Sequence, residues 1–189
     1  PTIINQTNHN YYNLSGDFTQ PGYDQVLYVN ADNFTPSDKL YIATGEIKSV
    51  EGTPMDFREP HAIGDSIQSD FDQIQNATGY DHNFCLNTFK DGKGDDTQVC
   101  ASLYSPKTGI FMEMFTNEPG VQVYSGNFQG VGADADIIRK HGLKYPKHVS
   151  VCLESQKYPD SPNHPEWIQP TLNPDEKYYS HAAYKFSIK

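Results

Sequence analysis

The chain has 189 residues, 36% hydrophobic and 13% aromatic, enough apolar material for one domain with a sizeable core. Its formal net charge of -10 argues against nucleic acid or an anionic membrane as partner, since neither attracts an acidic surface and no basic cluster compensates locally. No apolar stretch approaches bilayer-spanning length, and the three cysteines, an odd number with no close pair, fit neither a disulfide framework nor a zinc knuckle.

Runs of strand character alternate with turn clusters along the whole chain. In order they cover residues 2–12, 25–31, 83–89, 98–104, 110–116, 121–125, 148–154 and 183–188. Gln20-Pro21-Gly22, Lys90-Asp91-Gly92 and Glu118-Pro119-Gly120 lie between them and supply the backbone angles that turns need. Residues 90–96 read as an exposed hairpin tip. Helical spacing occurs twice, in Ile67, Phe71 and Ile74 ahead of Gly79 and, more faintly, around Ile137 and Ile138 ahead of Gly142. Many short strands with one or two short helices predict an all-β sandwich. No repeat or linker divides the chain, so residues 1–189 are expected to form a single unit. The sequence opens at Pro1 inside strand-like sequence, and a preceding segment is expected.

Glu154 is the residue that most resists a purely structural reading. In the run 149–156 the two-residue period puts Val149, Val151 and Leu153 on one face and Ser150, Cys152, Glu154 and Gln156 on the other. A carboxylate at the end of such a strand is either a solvated strand end or a group placed for chemistry. His9, among amides and aromatics in Asn8-His9-Asn10-Tyr11-Tyr12, is either an ordinary hydrogen-bonded histidine or a proton carrier. The pair Asp81-His82 reads as metal ligands or as a local turn, and two adjacent ligands without a third make a poor metal site. Residues 119–128, PGVQVYSGNF, interleave Gln122 and Asn127 with Tyr124 and Phe128, a mixture suited to sugar hydroxyls and ring faces. On one strand His148 and Cys152 stand about 13 Å apart, too far for a base and its nucleophile, which removes a cysteine hydrolase.

Five ordered motifs then become recognisable together: Thr7-Asn8-His9-Asn10-Tyr11-Tyr12-Asn13-Leu14, residues 52–58 (GTPMDFR), residues 79–84 (GYDHNF), residues 119–128, and Cys152-Leu153-Glu154-Ser155-Gln156 followed by Pro159-Asp160 and Asn163. In these the chain resembles the aldose 1-epimerase (galactose mutarotase) family over nearly all of its length. The resemblance implies the large mutarotase-like supersandwich, with His9 as general acid and Glu154 as general base. It also implies sugar contacts from Asp81 and Gln122, with Tyr11, Asn127 and Phe128 completing the surface. The implied partner is a monosaccharide, an aldohexose such as galactose or glucose, with no nucleic acid and no membrane. Acid–base ring opening needs no cofactor or metal, in line with the lack of a Gly-rich phosphate loop.

Members of the family carry further strands ahead of the region matched here, which bring an Arg and a second His to the sugar. The expectation is therefore a carboxy-terminal part completed by an amino-terminal segment or a complementary chain. Location in the cytoplasm is what the family implies, with export left open. Two other readings stand beside the isomerase: a non-catalytic carbohydrate-binding sandwich, and a glycosidase using Asp81 and Glu154 as its carboxylate pair.

Overall fold

Strand-forming segments in the computed structural model, which describes residues 1–189, are short and separated by turns. In chain order they are β1 (Thr2–Ile3), β2 (Val26–Val29), β3 (Asn33–Thr35), β4 (Lys48–Ser49), β5 (His61–Ala62), β6 (Asp81–Cys85), β7 (Phe89–Lys90) and β8 (Lys93–Gly94). After these come β9 (Ala101–Tyr104), β10 (Ile110–Thr116), β11 (Gly120–Tyr124), β12 (Cys152–Gln156), β13 (Thr171–Leu172) and β14 (Ala182–Ile188). The α-helix α1 spans Asp72–Ala77, and none of the helices is long and apolar enough to cross a membrane.

Two five-stranded antiparallel sheets carry the fold, ordered β14-β10-β9-β2-β5 and β12-β11-β6-β3-β4. Each turns its apolar alternation inward. Leu27, Val29, Ala101, Leu103, Met112 and Met114 of the first sheet join Phe34, Phe84, Val121, Val123 and Leu153 of the second in one buried cluster. That is the β-sandwich the strand pattern predicts, since alternate residues of two facing sheets make a single core. The expected hairpin at residues 90–96 is present as β7 and β8, turning at Asp91 and Gly92, both with positive φ.

Four expectations need correction. The run 2–12 is strand only at Thr2–Ile3, with an isolated bridge from Tyr12 to Val151, because residues 6–11 leave the ladder. The run 148–154 becomes β12 only from Cys152, since the backbone of His148 is left-handed (φ 61°) and cannot extend a strand. Around Ile137 and Ile138 there is no α-helix. Two 3-10 turns, Gly132–Asp136 and Lys140–Gly142, flank these exposed side chains, which have no core to face. Strands β3, β4, β5 and β13 fall outside the sequence-derived runs, being too short to display a period between their turn residues.

Candidate active site

The floor of the site is written in the register of β6, β11 and β12. Residues directly opposite in antiparallel strands share a face. Gln122 lies opposite Glu154 on one side and Asn83 on the other; Tyr124 lies opposite Cys152 and Asp81; Gly120 lies opposite Gln156 and Cys85. The interleaved residues Val121, Val123, Leu153 and Phe84 face the core, so one sheet presents an apolar inner and a polar outer surface.

Hydrogen bonds lock that outer surface. Gln122 Nε2 donates to Asp81 Oδ1 at 2.8 Å, and Gln156 Nε2 donates to Gln122 Oε1 at 2.9 Å and to Asn83 Oδ1 at 3.3 Å. Gly120 makes the last contact possible, because a Cβ there would collide with Asn83 Oδ1. The orientation of the Gln122 amide is thereby fixed, and one of its N–H groups is aimed at the Asp81 carboxylate.

His9 arrives from outside the sheet. Tyr12 exchanges both backbone hydrogen bonds with Val151 at 2.8 Å, and the Asn5 side chain pairs with the Lys157 backbone, donating to its oxygen and accepting from its N–H, each at 3.0 Å. Between these two anchors six residues, 6–11, span the length of five, 152–156. The segment must therefore bow away from the edge of β12. His9 sits on that bow with its Nε2 3.3 Å from Glu154 Oε1. Its ring lies 5.1 Å from Tyr11 and 6.1 Å from Tyr124, centre to centre.

A cavity of about 390 Å³ opens above this surface. The sheet residues Asp81, Gln122, Tyr124, Glu154 and Gln156 line it together with His9, Tyr11, Tyr41 and Pro159. Both carboxyls are pulled from their ordinary range. Burial pushes Glu154 up, with the charge of Asp81 adding to the effect and His9 opposing it. Burial also raises Asp81, opposed by the Gln122 hydrogen bond and then by His9. A carboxyl with raised proton affinity beside an imidazole is a pair equipped to pass protons.

His9, Glu154, Asp81, Gln122 and Tyr11 thus meet in one cavity. Asn127 does not join them. It is 1% exposed, and its amide donates to Ala77 O at 2.8 Å and Tyr80 O at 3.0 Å while its Oδ1 accepts from Ser125 Oγ at 2.5 Å. The strand ends at Tyr124, and Gly126 (φ 64°) turns the chain, so alternation no longer predicts where Asn127 points. Phe128 lies outside the cavity too, half exposed against Tyr41 and lining a neighbouring depression. Asp81 and His82 are not a ligand pair, because adjacent strand residues face opposite ways: His82 is buried in a T-shaped contact with Phe34, and burial lowers it to about 4. His148 is no base for Cys152. Its ring is held by Tyr23 OH and Thr78 O, each at 2.9 Å. Cys85, Cys100 and Cys152 are all free thiols.

Gln156, Asn83, Tyr41 and Pro159 are the residues sequence reasoning passed over as site members. Gln156 was open to discovery, because its parity matches Glu154. Tyr41 carries no periodic signal at all and is placed by a left-handed backbone (φ 65°).

Two packed antiparallel sheets with a polar cavity on the outer face of one of them define the class as a β-sandwich, and comparison with known proteins gives its family. The profile of the family described as aldose 1-epimerase matches residues 1–185. The chain belongs to that family. It is 40% identical over 187 residues to galactose mutarotase of Bos taurus, an alignment covering 99% of this chain and 51% of that protein. It is 38% identical over 188 residues to aldose 1-epimerase of Escherichia coli (strain K12), covering 98% and 51% respectively. The crystal structure of an aldose epimerase homologue from C. elegans matches with a TM-score of 0.81 at 25% identity, covering 98% of this chain and 52% of that one. The chain spans about half the length of these relatives.

Proposed function

We propose that this chain carries the proton-transfer machinery of an isomerase that interconverts the α and β anomers of free aldohexoses such as galactose and glucose. Glu154 takes the proton of the C1 hydroxyl, the electron pair forms the C1 carbonyl, and the C1–O5 bond breaks as His9 delivers a proton to O5. Rotation about C1–C2 and reclosure with the roles exchanged give the other anomer. Each positioned group contributes roughly 10²–10⁴ in rate.

The observation that carries this reading is the 3.3 Å contact between His9 Nε2 and Glu154 Oε1. O1 and O5 are bonded to the same carbon, so their acid and base must be near neighbours. A glycosidase needs instead two carboxyls flanking a glycosidic bond. Here the nearest proton-exchanging partner of Glu154 is an imidazole, and Asp81 is engaged by Gln122. A binding module has no use for a base of raised proton affinity.

Polarimetry on the protein that carries this chain tests the reading: freshly dissolved α-galactose reaches its rotation plateau sooner with protein than without. Equal rates overturn it. Gln122→Ala removes the Asp81 partner and an amide at the cavity floor, and is expected to raise KM roughly tenfold with a smaller change in kcat. An unchanged KM removes Gln122 from the sugar contacts.

A further inference from the structure

The catalytic assignment leaves the Cys152 thiol without a task. It lies two residues before Glu154 on the same face of β12, fully buried, and its Sγ, a Glu154 oxygen and a His9 ring nitrogen all fall within 4.8 Å of one another. We propose that His9, Cys152 and Glu154 form an inhibitory binding site for a borderline-soft divalent cation of the zinc type.

The donor set selects the metal. One sulfur, one imidazole nitrogen and one carboxylate oxygen suit zinc, whereas magnesium and calcium favour oxygen alone. With Zn–N and Zn–O of about 2.0–2.2 Å and Zn–S of about 2.3 Å, tetrahedral ligand atoms sit roughly 3.3–3.7 Å apart. The His9 to Glu154 separation of 3.3 Å already meets that spacing. Bringing Sγ in requires a shift of about 1 Å, within reach of His9, whose side chain is 49% exposed and rides on the bowed segment. The His9 imidazole is the exposed member of the set, and the thiol is the buried one. Three protein ligands leave the fourth position for water or a sugar hydroxyl at the cavity.

Charge balance favours the ion as well. Binding releases the thiol proton to solvent, and the resulting thiolate and the Glu154 carboxylate together neutralise a divalent cation. Since the ligands include the proposed acid and base, metal occupancy and sugar turnover exclude one another, a consequence resting on the isomerase reading.

Cobalt(II) is the probe, added at neutral pH to the protein that carries this chain. A cobalt-bound thiolate gives a near-ultraviolet charge-transfer band, and four-coordination gives intense visible bands. Both are expected to saturate at one ion per chain and to vanish when zinc is added. Cys152→Ser is expected to abolish the charge-transfer band, while Cys85→Ser leaves it intact. His9→Ala, at an exposed position where the fold is not at risk, is expected to weaken binding at least about tenfold. Absence of the band at millimolar cobalt, or a band that survives Cys152→Ser, overturns the proposal. The readout requires no turnover, so an inactive protein that still shows the band refutes the isomerase reading and leaves the metal site standing.

Discussion

Glu154→Gln is expected to lower the mutarotation rate by roughly 10²–10⁴ while leaving sugar affinity within a few fold. The amide keeps the size of the carboxyl and an oxygen able to accept from His9 Nε2, but it cannot take a proton from the C1 hydroxyl. Polarimetry reports the rate and calorimetry the affinity. A variant that retains the rate shows that the base lies elsewhere, and one that loses affinity in proportion shows that Glu154 binds rather than reacts.

The same substitution carries a stability signature of definite sign. In the fold, burial raises the Glu154 carboxyl from 4.5 to about 7. A carboxyl raised on folding disfavours the native state once it ionises: the cost is absent below the unfolded value, grows as pH rises from 4.5 to about 7, and is fully present above. Its ceiling is about 3 kcal/mol. Glu154→Gln therefore raises Tm at pH 8 and leaves it nearly unchanged at pH 4, and equal shifts at the two values exclude this cause. The wild-type rate is expected to rise with pH around neutrality as Glu154 ionises, well above the range of an exposed glutamate.

Alternation made most of the site legible. Asp81, Gln122 and Glu154 share a face because each occupies matching parity in a short strand, and parity is a local property that sequence records. Which strands are neighbours is not local. That β11 pairs with β6 across the intervening β7–β10, and with β12 across residues 125–151, is a long-range outcome that no local pattern records. Asn127 shows the limit: three residues beyond the last strand position, its side chain turns inward to hold the Tyr80 backbone. The position of His9 was the least readable, because the run 2–12 looks like uninterrupted strand and nothing in its pattern marks where it leaves the ladder.

What holds His9 over Glu154 leads to the second large effect. Asn5→Ala is expected to lower kcat by as much as about 10² with little change in KM. Asn5 is exposed and touches nothing in the cavity, yet its carboxamide takes the part of a strand partner, meeting both the N–H and the carbonyl of Lys157 at 3.0 Å. Lys157 is itself secured, with its ammonium 3.0 Å from the buried Glu118 carboxylate. Upstream, Ile4 N–H bonds to Pro170 O at 2.9 Å, so the chain on the far side of Asn5 stays pinned when the clamp is removed. Only the span between Asn5 and Tyr12 is released, and it carries the imidazole. Two hydrogen bonds worth about 0.5–1.5 kcal/mol each are a small loss to global stability, and Tm should fall by only a few degrees. Displacement of the acid by even about 1 Å is a large loss to a reaction that needs it at O5 while Glu154 is at O1. The neutral-range limb set by Glu154 should persist in the pH profile, since the base has not moved. Unchanged kcat dismisses the clamp, and a lost Glu154 limb means that the change disturbed the sheet rather than the segment above it.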